Sequence, residues 1–251
     1  PDVWNSVVPP GARSPKLLYD WARCTAQTYG RNGDLKVIVA GPTSRPDALL
    51  PLRVAPGVLR RHSFIANDDG GLSIPCRDVS VLPDLAAGLI RLRMPVDLGY
   101  YPAHDPVIDE IRRASRGRAV TVLRPQETPC APWLDLDPSW AEPDQHLTRN
   151  MRQSIRRNER RLNEAGELRV DFLEPAEHEV DSLLDTAVAV EAKSWKDRTG
   201  TALAHDERQR TFLRHYAKVA ARAGRLHITL VTLDGNAVAM YIGEIYGNVF
   251  W

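Results

Sequence analysis

Six arginines lie between Leu147 and Leu168, a segment that reads LTRNMRQSIRRNERRLNEAGEL. Spacing of about 100° per residue predicts one helix with an apolar face and an opposite arginine face. The apolar face holds Leu147, Met151, Ile155 and Leu162. Arginines four positions apart on a helix repel each other, by about 0.2–0.5 kcal/mol per pair. Such a face is either fully solvated or binds an anion, and Arg152, Arg156 and Arg157 are the candidates for anion contacts.

A second candidate group surrounds Glu191, which is followed by Ser194, Trp195 and Lys196 within two predicted helical turns. Four positions separate Glu191 from Trp195, so one helix would place them on the same face. A nearby apolar ring raises the pKa of a carboxyl group, which suits a general base near neutral pH. The alternative is an ordinary helix end with a packing tryptophan, where cations such as Lys196 are favourable.

A third candidate is Glu244, which lies in a predicted strand. Alternation along that strand puts Glu244 in line with Met240 and Ile242, on a face that the core would otherwise fill. Glu244 is therefore either a functional acid or a strand-end glutamate that reaches solvent. Tyr241 points to the other face, and is either a general acid or a packed strand tyrosine.

Several common kinds of catalytic centre are missing from the sequence. The seven histidines show neither HxxxH nor HExxH spacing, so no metal site is predicted. The chain also contains no G-x-S-x-G elbow and no Walker-type phosphate loop.

Composition indicates a globular protein with a local basic surface. Of 251 residues, 43% are hydrophobic and 26% are charged, yet the formal net charge is only +1. The basic character is therefore local, which favours an anion bound at one place. Cys24, Cys76 and Cys130 are odd in number and far apart, which suggests a reducing cytoplasm. We expect no membrane span and find no signal-peptide core.

The first half, residues 1–140, alternates strand and helix signals. Helices are predicted at 14–30, 82–93 and 107–117, and strands at 35–41, 48–57, 62–68, 96–101 and 119–126. Residues 128–144 carry four prolines and two tryptophans and mark the boundary between the halves.

The second half, residues 141–251, begins with the arginine helix, which should end at a left-handed C′ glycine, Gly166. A strand at 168–174 and helices at 178–200 and 206–224 follow. Two strands then flank Asp234–Gly235, a strong hairpin signal, and a third starts after Gly247–Asn248. The predicted fold class is mixed α+β, with largely antiparallel sheets flanked by helices. Because the chain stops inside an apolar strand, we expect the natural product to run on and the second half to be incomplete.

The β-α-α-β-β-β order with its Asp-Gly hairpin resembles the first part of a GNAT-superfamily acyltransferase domain. It is most similar to the CelD/BioF-associated branch related to Fem-type aminoacyltransferases, which have two GNAT-like halves in tandem. The resemblance is carried by RNMRQSIRRNERRLNEAG (149–166), EAKSWKDRTG (191–200), GRLHITLVTLDGNAVAMYIGEIYG (224–247) and, in the first half, ALLPLRV (48–54).

The resemblance implies an N-acyltransferase that moves an acyl group from acyl-CoA to an amine. Glu191 and Glu244 would bind or deprotonate the amine, Tyr241 would protonate the leaving group, and Trp195 with Lys196 would line the substrate site. The arginines would contact the anionic donor. Two alternatives stay open: a Fem-like enzyme that uses aminoacyl-tRNA, and a non-catalytic module that binds a partner or nucleic acid. The resemblance also leaves a homodimer open.

One departure from the family concerns the donor site. GNAT enzymes hold the pyrophosphate of acyl-CoA on a glycine-containing turn between the fourth strand and the next helix. In the second half this turn would lie beyond Trp251. In the first half the corresponding NDDGGLS (67–73) lacks the pattern, and its two aspartates would repel phosphate. Acyl-CoA is therefore implied by the family alone.

Overall fold

Two four-stranded sheets, each packed against helices, organise the computed structural model of the protein. The structure describes residues 1–30, 35–55, 61–65, 74–99, 101–102, 104–122 and 134–251. The mixed α+β class with two sheets is as predicted.

The first sheet has the order β1-β2-β3-β4. Pairs β1–β2 and β2–β3 are antiparallel, and β3–β4 is parallel because the chain returns through a helix between them. The core between this sheet and its helices includes Leu50, Leu52, Phe64, Leu85 and Val107. In chain order the elements are α1 (Asp2–Asn5), α2 (Tyr19–Tyr29), β1 (Leu35–Ala40), β2 (Ala48–Ala55), β3 (Arg61–Phe64), α3 (Leu82–Arg91), β4 (Val96–Asp97) and α4 (Pro106–Ser115).

The second sheet has the order β5-β6-β7-β8, with every pair antiparallel. It packs one face against two helices through a core that includes Val180, Leu184, Ala217 and Ile228. The predicted β-α-α-β-β-β order is confirmed, with one short extra helix. The elements are α5 (Arg149–Ala165), β5 (Leu168–Leu173), α6 (Val180–Glu191), α7 (Trp195–Arg198), α8 (Glu207–Arg222), β6 (Leu226–Leu233), β7 (Asn236–Tyr246) and β8 (Val249–Phe250).

The predicted hairpin forms at Asp234–Gly235, between β6 and β7. Both residues have positive φ angles, 48° and 75°, as a two-residue hairpin with the twist of its strands requires. Asp tolerates this conformation and Gly adopts it without steric cost, so the dipeptide sets the register of the two strands.

The single helix predicted at 178–200 is wrong. The chain leaves α6 after Glu191, and the Ser194 hydroxyl accepts a hydrogen bond from the Lys196 N–H, so Ser194 starts the separate helix α7. Glu191 and Trp195 therefore do not share one helical face, contrary to the four-residue spacing argument.

Gly166 ends α5, but not for the predicted reason. Its φ of 164° is extended backbone rather than the left-handed conformation of a C′ glycine. The residue is instead pressed against the hairpin, because a Cβ there would lie 2.4 Å from the Asp234 carboxylate. That carboxylate accepts a hydrogen bond from the Glu167 N–H at 2.8 Å.

Two further predictions for the first half need correction. The helix expected from residue 14 begins at Tyr19, after a 3₁₀ turn at Pro15–Leu17. Residues 119–122 of the predicted strand 119–126 are not in a strand. The described residues do not include the rest of that prediction, the NDDGGLS segment (67–73) or part of the 128–144 boundary.

Helices α2 and α8 join the two parts of the chain. Trp21 on α2 packs edge-on against Phe212 and Tyr216 on α8, with ring centroids 5.0 and 4.7 Å apart. Cys24 and Val219 belong to the same buried cluster. The division into domains 1–140 and 141–251 stays a prediction.

Candidate active site and arginine surface

Glu244 is a buried carboxylate held between β7 and α8. Its side chain is 8% exposed, and Oε1 accepts a hydrogen bond of 2.6 Å from the Tyr216 hydroxyl. The face of β7 that carries Met240, Ile242 and Glu244 turns toward the helices, as the alternation predicts. The structure therefore places Glu244 inside the protein, not at a solvated strand end.

The second oxygen of Glu244 faces a cation at longer range. The Arg225 Nε lies 3.6 Å from Glu244 Oε2, and the Arg225 guanidinium stacks over the Tyr246 ring at 5.7 Å. Within the described part of the chain, Oε2 has no hydrogen-bond donor. Oε2 is therefore the less engaged of the two carboxylate oxygens of Glu244.

Burial raises the pKa of Glu244 above its ordinary value. The hydrogen bond from Tyr216 and the charge of Arg225 act in the opposite direction, and desolvation is the larger effect. The pKa of Tyr216 is raised as well, by burial and by the neighbouring carboxylate, so Tyr216 stays a hydrogen-bond donor. A carboxylate with a raised pKa and one weakly engaged oxygen is a stronger proton acceptor than an ordinary exposed glutamate.

A strand edge lies next to this carboxylate. Trp251 exchanges both backbone hydrogen bonds with Glu244, the N–H of each residue donating to the carbonyl of the other at 2.8 and 3.0 Å. Because hydrogen-bonding directions alternate along an antiparallel strand, the N–H of the preceding Phe250 points to the opposite, outer edge. β8 is the last strand of the described sheet, so this N–H is directed toward an unpaired strand edge.

Tyr241 lies on the other face of the sheet from Glu244. Its side chain is 56% exposed, and its ring stacks on Phe250 with centroids 5.6 Å apart. The structure therefore does not bring Tyr241 and Glu244 together on one side of β7.

Glu191 uses both of its carboxylate oxygens to hold the connection between α6 and α8. Oε1 lies 2.5 Å from the Lys196 Nζ, and Oε2 accepts a hydrogen bond of 2.6 Å from the Leu203 N–H. Trp195 is 61% exposed beside this pair. The structure brings Glu191 and Lys196 into contact and leaves the Trp195 ring open to solvent.

The predicted arginine helix forms as α5, and none of its 17 residues is buried. Thr148 caps its N-terminus by accepting a hydrogen bond from the Met151 N–H. Six side chains line one shallow cavity of about 390 Å³, and we call them the arginine surface: Arg149, Arg152, Gln153, Arg156, Arg157 and Arg160. Arg152, Arg156 and Arg157, the three predicted anion contacts, thus share one concave surface.

The comparisons with known proteins bear on the part of the chain that contains these groups. Residues 149–251 match the acetyltransferase (GNAT) domain family. The search of curated proteins found no match to the chain. The family match supports a GNAT-type domain and a general acyltransferase function, and it does not extend to the CelD/BioF or Fem-like branch.

The GNAT domain match runs from the start of α5 to Trp251, so it includes Glu191, Glu244 and the arginine surface. Sequence reasoning missed Tyr216 and Arg225, the two partners of Glu244. Tyr216 lies 28 positions from Glu244 along the chain, and only its place on the buried face of α8 hinted at an inward hydroxyl.

Two negative findings apply to the described residues only. They contain no group of three or more His, Cys, Asp or Glu side chains arranged to hold a metal ion. None of the helices there has the length and apolar character needed to cross a membrane.

Proposed function

We propose that the protein is an N-acyltransferase that moves an acyl group from acyl-CoA to an amine. The observation that carries this proposal is the GNAT domain match over residues 149–251. Acyl-CoA is the donor that GNAT enzymes generally use, and the amine acceptor follows from the family resemblance.

Glu244 is the proposed general base. The attacking nitrogen must lose a proton as its lone pair bonds to the thioester carbonyl carbon, and a carboxylate with a raised pKa suits this task. Since Glu244 is almost fully buried, the proton would reach Oε2 through one intervening water. Tyr216 fixes the carboxylate by holding Oε1. The released thiolate of CoA takes up a proton, for which Tyr241 is the predicted donor.

The Phe250 N–H is the proposed donor to the carbonyl oxygen of the donor thioester. A backbone N–H on a fixed strand needs no reorganisation as negative charge develops on that oxygen, so it stabilises the transition state more than the ground state. It lies on β8, one residue from the Trp251 position that pairs with Glu244.

Glu191, Lys196 and Trp195 are proposed to shape the acceptor side. Because both oxygens of Glu191 are engaged, we assign it the task of positioning the 192–206 connection. The exposed Trp195 ring on that connection offers an apolar wall to a substrate. The role of Tyr241 as an acid for the leaving group stays a prediction.

The test is release of free CoA thiol from acetyl-CoA and longer acyl-CoAs in the presence of a panel of primary amines. We expect Glu244→Gln to lower the rate by about 10²–10⁴-fold, the range for a lost general base. The matched control is Glu174→Gln, which neutralises a glutamate whose side chain is 79% exposed.

The pH profile separates a base from a merely structural residue. Since the base must be ionised and its pKa is raised, activity should rise with pH through that raised value, and Glu244→Gln should remove this limb. Absence of both thiol release and thermal stabilisation by any acyl-CoA would contradict the proposed function.

A further inference from the structure

The arginine surface on α5 is much more positive than the rest of the chain. The helix contains six arginines and two glutamates, a net charge of +4, whereas the whole protein has a net charge of only +1. We propose that this surface binds the phosphate backbone of an RNA double helix. Such binding would be a second property of the protein, independent of acyl transfer.

The carboxylates near the arginine surface do not neutralise it. Arg152 donates hydrogen bonds to the carbonyl oxygens of Asp144 and Leu147 at 2.7 and 2.9 Å, and Arg156 pairs with the Asp144 carboxylate at 3.0 Å. The Arg160 Nε lies 3.9 Å from Glu164. Among the residues that the structure describes, Arg149 and Arg157 have no ion-pair partner. The side chains are thus partly oriented while their charge remains available.

The length of the surface favours an extended polyanion. From Arg149 to Arg160 the helix rises about 16 Å, or three turns, at 1.5 Å per residue. Four of the guanidinium groups, those of Arg149, Arg152, Arg156 and Arg160, recur every three or four residues, which spaces them by about 5 Å along the axis. A pyrophosphate has two adjacent phosphates and can engage only part of this row. A nucleic-acid strand presents a phosphate at every nucleotide and can engage all of it.

The small apolar stripe of α5 disfavours an anionic membrane as the partner. Met151, Ile155 and Leu162 form the apolar stripe, and its centre lies about 150° around the helix axis from the centre of the arginine surface. A helix that lies in a membrane interface inserts a broad apolar face rich in Trp, Phe or Leu and keeps its basic face among the headgroups. The stripe of α5 contains three large apolar side chains and no aromatic ring, so it offers little area to insert. A phosphate backbone needs no apolar face and engages the arginine surface alone.

The residues between the arginines favour a duplex, and RNA in particular. The helix contains no aromatic residue, so it offers no platform on which unpaired bases stack. Gln153 lies within the arginine surface, and its amide both donates and accepts hydrogen bonds. The ribose 2′-hydroxyl, which distinguishes RNA from DNA, is likewise a donor and an acceptor.

The experiment measures binding of the full chain to a fluorescent RNA duplex of about twenty base pairs by anisotropy, in the absence of any acyl donor. Five phosphate contacts predict a slope of log K against log salt of about −4.5. Between about 50 and 200 mM salt the affinity should then fall about 500-fold. Because no acyl donor is present, failure of the proposed function would not affect this result.

The test variant combines Arg149→Gln, Arg157→Gln and Arg160→Gln, which keep good helix propensity. We expect it to reduce the salt slope by about 2.7, the value for three lost phosphate contacts. The control removes the same charge from α4 and the turn after it: Arg112→Gln, Arg116→Gln and Arg118→Gln, all at exposed positions. Circular dichroism confirms that both variants remain folded.

Three results would overturn the proposal. One is an equal loss of RNA affinity in the two triple variants, which would show that only net charge matters. Another is equal affinity for a DNA duplex of the same sequence, since Gln153 predicts an RNA preference of about 2- to 10-fold from one hydrogen bond. The third is tighter binding to phosphatidylserine vesicles than to RNA. Loss of the RNA preference in Gln153→Leu would support the assigned contact.

Discussion

Removal of one hydroxyl group tests the Glu244 centre directly. In Tyr216→Phe the ring remains and keeps its packing against Trp21 and Phe212, while the hydrogen bond of 2.6 Å to Glu244 is lost. A hydrogen bond to a charged group contributes about 1.5–3 kcal/mol, and one between neutral groups about 0.5–1.5 kcal/mol. We therefore expect the loss of unfolding free energy to depend on the ionisation state of Glu244.

The sign of the pH dependence follows from the raised pKa of Glu244. The folded protein binds a proton at Glu244 more tightly than the unfolded chain does. This difference contributes to the free energy of unfolding at low pH, and the contribution is lost as the pH rises through the raised pKa. Tyr216 opposes this trend because its hydroxyl stabilises the ionised form. Tyr216→Phe should thus lower the free energy of unfolding more at pH values above the pKa of Glu244 than at pH values below it.

The assay is thermal unfolding followed by circular dichroism at an acidic and an alkaline pH. For a chain of this size each kcal/mol corresponds to about 2–4 °C in Tm, so we expect a decrease of about 3–12 °C at alkaline pH. At acidic pH the decrease should be about 1–6 °C. Tyr241→Phe, at an exposed ring, is the matched control and should change Tm little. Equal decreases at both pH values, or no difference from the control, would refute the reasoning.

Two other substitutions test the supporting structure. Gly166→Ala should lower the unfolding free energy by about 1–3 kcal/mol in urea titrations, because the new methyl group meets the Asp234 carboxylate. In an Asp234→Gly background the same change should lower the unfolding free energy much less. Glu191→Gln should lower the global free energy of unfolding by under about 1 kcal/mol, since its partner Lys196 is 45% exposed. The same change should speed trypsin cleavage within 192–206, because it loosens this connection locally. Cleavage at the rate of Glu174→Gln would contradict the positioning role of Glu191.

The sequence predicted those parts of the fold that depend on local chemistry. Asp234 and Gly235 specify their turn through backbone preferences alone, and the 3.6-residue period of α5 is visible without any structure. The break after Glu191 was harder to see, because Ala192, Lys193 and Lys196 around it are good helix formers. Its only local signal is Ser194, a strong N-cap residue that also occurs inside helices.

The candidate site depends on non-local contacts, which sequence patterns describe poorly. Alternation identified Glu244 as an acid on a core face, but its partner Tyr216 comes from a different element and could not be found by spacing. Gly166 shows the same limit in another form. Its position at the helix end was predicted correctly, whereas the reason for glycine is a carboxylate 68 positions later in the chain. The lack of buried residues in α5 was also not predictable, because an apolar stripe normally predicts burial.

The aromatic contact between α2 and α8 limits how this protein can be divided. Separation of the chain near the predicted boundary would leave Trp21 on one fragment and Phe212 with Tyr216 on the other. Each such ring buries about 150–250 Å², so two of them would expose an apolar patch near the upper end of what single-domain proteins tolerate. A fragment that begins near residue 141 should therefore self-associate, and it would lose the ring that supports Tyr216 behind Glu244.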